Sequence, residues 1–251
     1  MGGAVLTGAL RAGVLKPQDV GIYHPVAERR LELAERFGVS GLDDDAVHHA
    51  ERMLLSVKPQ YFDDVAPLVA QRNASYISLM AGVSASTIAR RVGSNRIVRA
   101  MPNLGARVGL SATALAHLPQ ANAEDLKLAE DLFGAVGSVH RIPESLFDAF
   151  TGLAASGPAF AALVAEAFAD GGVRVGFGRE TARDLARQVL LATAKLLETQ
   201  HPAELKDEVA SAGGTAIAGV KALEQHGLRY ALIEAVEAAS RRARELNREE
   251  G

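Results

Sequence analysis

Residues 52–92 read RMLLSVKPQYFDDVAPLVAQRNASYISLMAGVSASTIARRV, and this stretch decides the fold. Residues 52–57 form a short β-like run, and residues 61–70 that follow have helical spacing. The pattern then repeats, with a β-like run at 75–80 leading into a helix at 86–92. Short strands alternating with helices build βαβ units, and such units build a mostly parallel sheet. Working outward, residues 20–23 precede a charged amphipathic helix at 27–37, and residues 96–100 and 111–115 add two strands before a helix at 123–133. A sheet of this kind takes ligands at the carboxyl ends of its strands.

Past Pro143 the strand signal stops. Ser156-Gly157-Pro158 is a turn with proline placed to start a helix, after which Phe160, Leu163, Val164, Ala167 and Phe168 recur at helical spacing. Residues 179–199 make a second long helix, closed by His201-Pro202, and Leu228, Leu232, Val236, Ala239, Ala243 and Leu246 stripe a third. The expected plan is an α/β Rossmann-type domain over residues 1–142 and an all-helical domain over 143–251. The wide apolar stripes of the second domain call for a second copy of the chain to cover them.

The bulk properties narrow the function. The chain has 251 residues, 48% of them hydrophobic and 5% aromatic, and a net charge of −3. That balance gives no electrostatic case for nucleic acid or an anionic membrane. There is no cysteine, which excludes disulfides, thiolate metal sites and a cysteine nucleophile, and the seven histidines are scattered without metal-ligand spacing. The longest apolar candidate, residues 159–169, is interrupted by Glu166 and falls short of the ~18 residues of a membrane span. A cytoplasmic protein is expected.

Several strand ends look built for a dinucleotide. The first helix starts within Met1-Gly2-Gly3-Ala4, where a dinucleotide fold would present helix amides to a pyrophosphate. The strand and G-x-G turn that precede such a helix are missing from the sequence, and we expect them upstream of Met1. The second strand of the motif ends at Tyr23-His24-Pro25 with no carboxylate to bind a ribose 2′-hydroxyl, while Arg29 and Arg30 follow. This favours a 2′-phosphate, hence NADPH, with NADH possible; the alternative leaves both arginines as surface charge and His24 as a loop residue. Pro59, Gly82 and Pro102 each end a strand at the same sheet edge, which makes a cofactor-sized cleft.

Five motifs in order then resemble the pyrroline-5-carboxylate reductase family. They are Val57-Lys58-Pro59-Gln60, Arg99-Ala100-Met101-Pro102-Asn103, Ser156-Gly157-Pro158-Ala159-Phe160, Ala169-Asp170-Gly171-Gly172-Val173, and a signature made by Pro202, Leu205, Val209, Ser211, Gly213-Gly214-Thr215, Ile217 and Leu223. The resemblance covers essentially the whole chain. It implies reduction of 1-pyrroline-5-carboxylate to L-proline with NAD(P)H, a Rossmann domain, and a helical domain that dimerises, often into larger assemblies. It also implies that Met1, Gly2, His24, Pro25, Val57, Lys58, Ala81 and Gly82 line the dinucleotide. On the same basis Asp43 lies near the adenosine ribose and Glu144 near the nicotinamide end. Gly213, Gly214, Thr215 and Ala216 would surround the substrate, with Ser211 and Thr215 as catalytic candidates.

Physics gives the Gly-Gly motif a purpose. A helix starting after Gly213-Gly214 exposes the amides of residues 214–217, and these with the helix dipole form an anion site for the substrate carboxylate. The structural alternative is a helix–helix corner capped by Thr215. Hydride transfer to a protonated imine needs positioning more than acid–base machinery, which suits a chain without a His-Asp or Ser-His pair.

The chain departs from the family at Ala216, commonly Thr, at Ala154-Ala155 for Ser-Gly, at Leu104-Gly105 for Thr-Pro, at Ser111 for Gly and at Glu208, Asn in some relatives. Two other readings stay open: a related imine or hydroxyacid-type reductase with another substrate, and a catalytically silent paralogue that binds a partner. The lysine that hydroxyacid enzymes carry on their first interdomain helix has no counterpart in the stretch after Pro158.

Overall fold

The computed structural model describes residues 1–249. Among these residues seven strands form two sheets. β1 (Gly21–Ile22) and β2 (Ser40–Gly41) pair in parallel, and β3 (Arg52–Leu55), β4 (Ser75–Ser78), β5 (Ile97–Pro102), β6 (Ser111–His117) and β7 (Gly137–Arg141) follow one another across a second sheet. Every pairing is parallel except β5 with β6. The short connection 103–110 cannot carry the crossover that a parallel pair needs, so β6 returns antiparallel. In the doubly wound strand order the first strand joins these two sheets. No such strand lies among the described residues, and β1 and β3 accordingly fall in separate sheets.

The predicted strands are all present, slightly trimmed or extended; β2 and β7 are additions. Two residues carry too little pattern to reveal β2. β7, Gly-Ser-Val-His-Arg, is an exposed, largely polar edge strand.

Helices α1 (Gly2–Arg11), α2 (Ala27–Phe37), α3 (Phe62–Val69), α4 (Ala85–Val92) and α5 (Ala123–Gly134) pack around these strands. The strand alternation sorts the core into two layers. Tyr76 and Ile97 point to one face, among Phe62, Val65, Ile88 and Val92 of α3 and α4. Their neighbours Ile77 and Val98 point to the other, among Val5, Ala9, Leu132 and Phe133 of α1 and α5. All four residues of β4 are buried, as befits a strand covered on both faces. Asn122 caps α5 in a capping box with Asp125, and the buried Asp125 also takes two hydrogen bonds from Arg96, at 2.7 and 2.9 Å. Burial alone would raise the Asp125 carboxyl, but the bonds from Arg96, Ser75 and the Asn122 amide hold it below the usual carboxylate range.

By compactness the chain divides into two units, Met1–Ala155 together with the stretch from Ala239 onward, and Ser156–Ala238. The second unit contains α7 (Gly157–Arg174), α8 (Arg179–Leu196), α9 (Pro202–Val209), α10 (Thr215–Gln225) and the first part of α11 (Leu228–Glu249). Here α6 is the single turn Phe147–Phe150 of the first unit, followed by a π-helical turn at Thr151–Ala155. Small residues let α7 and α8 approach: Ala169, Ala182 and Ala186 are buried, and a Cβ on Gly172 would stand 3.0 Å from that of Ala182. Large apolar side chains on both helices, among them Leu163, Phe168, Leu185, Val189 and Leu191, are exposed. The helical stretch Glu144–Arg174 is, by length and composition, long and apolar enough to cross a membrane, contrary to the shorter run read from the sequence. Its apolar window is 11% buried, so this is a surface stretch of the single chain, unlike the core helix of a soluble domain.

Candidate functional site

The carboxyl edge of the sheets gathers the first group of predicted residues. α1 meets the end of β3 here: the Gly2 amide donates to Ser56 Oγ at 3.2 Å, and a Cβ on Gly2 would lie 2.3 Å from that same oxygen. A Cβ on Gly3 would lie 2.9 Å from Phe37 Cζ of α2. A side chain at Gly2 would force Ser56 to move, and one at Gly3 would push the Phe37 ring aside. The Ala4 and Val5 amides both turn back to the Met1 carbonyl, and among the described residues Gly3 N–H has no acceptor. Val57 and Lys58 follow Ser56, with Lys58 exposed. Gly82 sits at φ +81, a left-handed conformation that lets the turn after β4 close tightly.

The end of β1 holds a pocket of about 290 Å³ lined by Pro25, Arg30, Asp43, Asp44 and Asp45. Because β2 runs parallel beside β1, the residues after β2 arrive next to those after β1. Carboxylates absent from the end of β1 itself are thus brought beside it from the neighbouring strand. Asp43 accepts from the Ala46 amide at 2.8 Å, and Tyr23 donates to Asp44 at 2.9 Å. Partial burial, then the Asp44 carboxylate, push the Tyr23 hydroxyl above its ordinary value. His24 is a turn residue: its Nδ1 accepts from the Val26 amide at 3.0 Å and its carbonyl from Arg30. Arg29 pairs with Glu32 at 2.6 Å, and Arg30 lies 3.9 Å from Asp44. The positive charge expected at the 2′ position is thereby largely offset.

A third cluster lies where β4 leads into α4. Glu144 Oε1 accepts from the Ala85 amide at 2.8 Å and from Arg99 Nη1 at 2.9 Å. Arg99 also donates to the Met80 carbonyl at 3.1 Å and stacks over Phe147, 4.6 Å from the ring centre. Sequence reading passed over Arg99 except as part of a motif. Its signal was a lone charge inside the otherwise apolar run Ile97–Pro102. The adjacent Asn103 bonds the Ala154 carbonyl at 2.8 Å, tying the end of β5 to the π-helical turn.

These residues fit a dinucleotide in kind: two glycines at points of close approach, an unspent helix amide, and carboxylates at the ends of adjoining parallel strands.

The second group lies in the helical unit, at the corner between α9 and α10. The two glycines there do different work. Gly213 sits at φ +69 with open space around its Cβ position, so conformation demands it. Gly214 has an ordinary φ of −78, but a Cβ there would lie 2.3 Å from Ser211 Oγ, so Ser211 keeps its present position only beside a glycine. Gly214 is the N-cap of α10, and Thr215 is the first helical residue rather than the cap. The Gly214 amide is already bonded to the Ser211 carbonyl at 3.0 Å, which removes it from the expected anion site. Thr215, Ala216 and Ile217 occupy the first three helical positions, where no intrahelical acceptor exists. Among the described residues nothing else takes their amides. Glu208 is held by a bond from the Gln200 side chain.

Comparison with known proteins adds a second line. The family described as pyrroline-5-carboxylate reductase dimerisation matches residues 144–246, and the family described as NADP oxidoreductase coenzyme F420-dependent matches residues 1–82. The chain is 52% identical to a pyrroline-5-carboxylate reductase of Thermus thermophilus over 251 residues, covering 100% of this chain and 96% of that protein. The solved pyrroline-5-carboxylate reductase of Coxiella burnetii superimposes with a TM-score of 0.88 at 31% identity, covering 97% and 93% of the two chains. The Plasmodium falciparum pyrroline carboxylate reductase, solved with NADP bound, gives 0.85 at 26% identity and covers 98% and 94%.

Proposed function

The chain belongs to the pyrroline-5-carboxylate reductase family, and from that premise we propose which of its residues carry the reduction of 1-pyrroline-5-carboxylate to L-proline. It is an NAD(P)H-dependent oxidoreductase of proline biosynthesis. The observation that carries the site assignment is the row of three unclaimed amides at Thr215, Ala216 and Ile217, presented by the Gly213-Gly214 corner. An α-helix start with free N–H groups favours an anion, and the substrate's fixed anion is its carboxylate. The Ser211 and Thr215 hydroxyls flank that corner and serve to orient the ring nitrogen, which must be protonated for reduction.

When bound, the reduced nicotinamide supplies the hydride. Gly2, Gly3 and Ser56 set the close approach for the pyrophosphate, and Asp43 with Pro25 and His24 frames the adenosine ribose. Val57, Lys58, Ala81, Gly82 and Glu144 line the remaining edge. In this reading residues 1–142 hold the dinucleotide, while residues 143–251 hold the substrate and join two copies of the chain. The exposed apolar faces of α7 and α8 support a homodimer as the basic assembly, and they account for the apolar stretch Glu144–Arg174 without a membrane. The net charge of −3 supports a small-molecule role over nucleic-acid binding, with the enzyme working in the cytoplasm.

The test is oxidation of NADPH and of NADH by the purified chain with racemic pyrroline-5-carboxylate, with the product identified as proline. A six-membered cyclic imine carboxylate and a pyrroline without the carboxylate serve as comparisons. We expect turnover with the five-membered carboxylate and steep loss without the carboxyl group. Absence of proline would overturn the function, and indifference to the carboxyl group would overturn the amide site.

A further inference from the structure

Arg99 is a full charge in the middle of a strand whose six residues are all buried. Such a residue is retained where its fork of donors is needed. Its contacts join three separate segments: Nη2 holds the Met80 carbonyl at the end of β4, Nη1 holds Glu144, and the guanidinium plane lies on Phe147. Its Nε, buried, has no partner among the described residues. A donor left unsatisfied in the interior is unfavourable, so the other contacts must over-determine the side chain's position.

What those contacts fix is the turn from residue 81 to 84, between Met80 and Ala85. Arg99 holds the Met80 carbonyl at one end, and Glu144, anchored by Arg99, takes the Ala85 amide at the other. Both bonds to Glu144 fall on Oε1. Its side chain is 35% exposed, against 6% for that of Arg99, and no donor among the described residues takes its second carboxylate oxygen. This turn lies at the carboxyl edge of a parallel strand, where such folds receive their ligands, and the family resemblance puts Glu144 at the nicotinamide end.

We infer that Arg99 is a positioning residue for the nicotinamide end of the cofactor: it locks the residue 81–84 turn and holds Glu144 so that Oε2 accepts from the carboxamide N–H₂. The inference rests on the dinucleotide reading above. Lysine cannot reproduce it, because a single ammonium lacks the rigid planar fork that bonds both acceptors while lying over Phe147.

The experiment separates the two ends of the ligand. Binding of NADH and of ADP-ribose, which lacks the nicotinamide, is measured by calorimetry for the wild-type chain and for Arg99→Met, Arg99→Lys and Glu144→Gln. Thermal melts confirm folding. We expect ADP-ribose affinity to stay within about twofold while NADH weakens roughly tenfold or more in Arg99→Met, as for loss of a hydrogen bond to a charged group, with Arg99→Lys between. Glu144→Gln keeps an acceptor for Ala85, and it tests the second oxygen even if Arg99→Met does not fold; NADH alone should weaken. Parallel weakening of both ligands, or unchanged NADH affinity in a folded variant, would overturn the inference while leaving the dinucleotide reading intact. Failure of the wild-type chain to bind either ligand would overturn both.

Discussion

Replacing Gly214 by alanine probes the substrate corner at a point where the structure supplies the magnitude. The added Cβ would lie 2.3 Å from Ser211 Oγ, 3.2 Å from the Ser211 carbonyl oxygen and 3.5 Å from Ser211 Cβ. The first distance is impossible and the second merely tight, so Ser211 must rotate or the turn must open. Rotation takes the Ser211 hydroxyl away from the corner, and opening of the turn displaces the three amides at the start of α10. Hydrogen bonds to a charged group contribute about 1.5–3 kcal/mol each, so misplacing one should weaken carboxylate binding roughly 10- to 100-fold. Removing the serine hydroxyl first should relieve most of the conflict. In Ser211→Ala the nearest remaining atoms stand beyond 3 Å, and adding Gly214→Ala should then weaken binding much less. The assay is a double-mutant cycle on the inhibition constant of L-proline and on KM for pyrroline-5-carboxylate, with oligomeric state checked for each variant. We expect a coupling of about 1–2 kcal/mol, within the range for residues in contact. Additive effects would refute the claim that Gly214 exists to make room for Ser211, and with it the packing that presents the amides.

Three further outcomes follow from the same geometry. Ala216→Thr restores a hydroxyl at the second position of α10, and kcat/KM should rise about 2- to 10-fold, the net worth of one neutral hydrogen bond; an unchanged value would show that Ser211 and Thr215 suffice. The double variant Asp43→Asn/Asp45→Asn leaves the Tyr23–Asp44 bond in place and removes two negative charges from the ribose pocket, so the NADPH to NADH ratio of kcat/KM should rise by about 3- to 10-fold, and a fall would contradict the electrostatic reading. Asp125 ionises more readily in the folded chain than in the unfolded one, so its stabilisation is present above its unfolded pKa and is lost as pH falls through the lower folded value. Asp125→Asn should therefore cost about 1.5–3 kcal/mol at neutral pH, since Arg96 is partly exposed, and flatten the acid limb below ~pH 4 in chemical denaturation; an acid limb as steep as in the wild type would refute the assignment.

The alternation of strand and helix was legible because each buried strand is dense in apolar residues and each helix carries a one-sided stripe. Ser-Tyr-Ile-Ser at β4 and Ile-Val-Arg-Ala-Met-Pro at β5 declare themselves without neighbours. β2 does not, since Ser40 and Gly41 become a strand only by lying against Gly21 and Ile22. The antiparallel return of β6 was open to inference from the brevity of residues 103–110, and the mostly parallel expectation passed over it. Local propensity decides which segments are extended, while connection length and partners decide how they pair.

The site divides along the same line. Gly213-Gly214 was readable as a helix restart because glycine leaves few alternatives, and the structure adds that the two are required for unlike reasons, one conformational and one steric. At the pocket beside β1 the sequence showed the arginines but only part of the acidic side, Asp43. Arg29 and Arg30 stood next to β1 in sequence, but helix geometry turns Arg29 toward Glu32, and the parallel partner strand delivers Asp43, Asp44 and Asp45 from some twenty residues away. Charge near a ligand is a property of the folded edge, assembled from the ends of different strands. Arg99 makes the point most sharply. Its role depends on Met80, Ala85, Glu144 and Phe147, which no spacing rule connects, yet its presence in a buried strand was already an unexplained charge. Where a sequence places a residue that local physics disfavours, the compensating partners lie elsewhere in the chain, and function is to be sought where those partners meet.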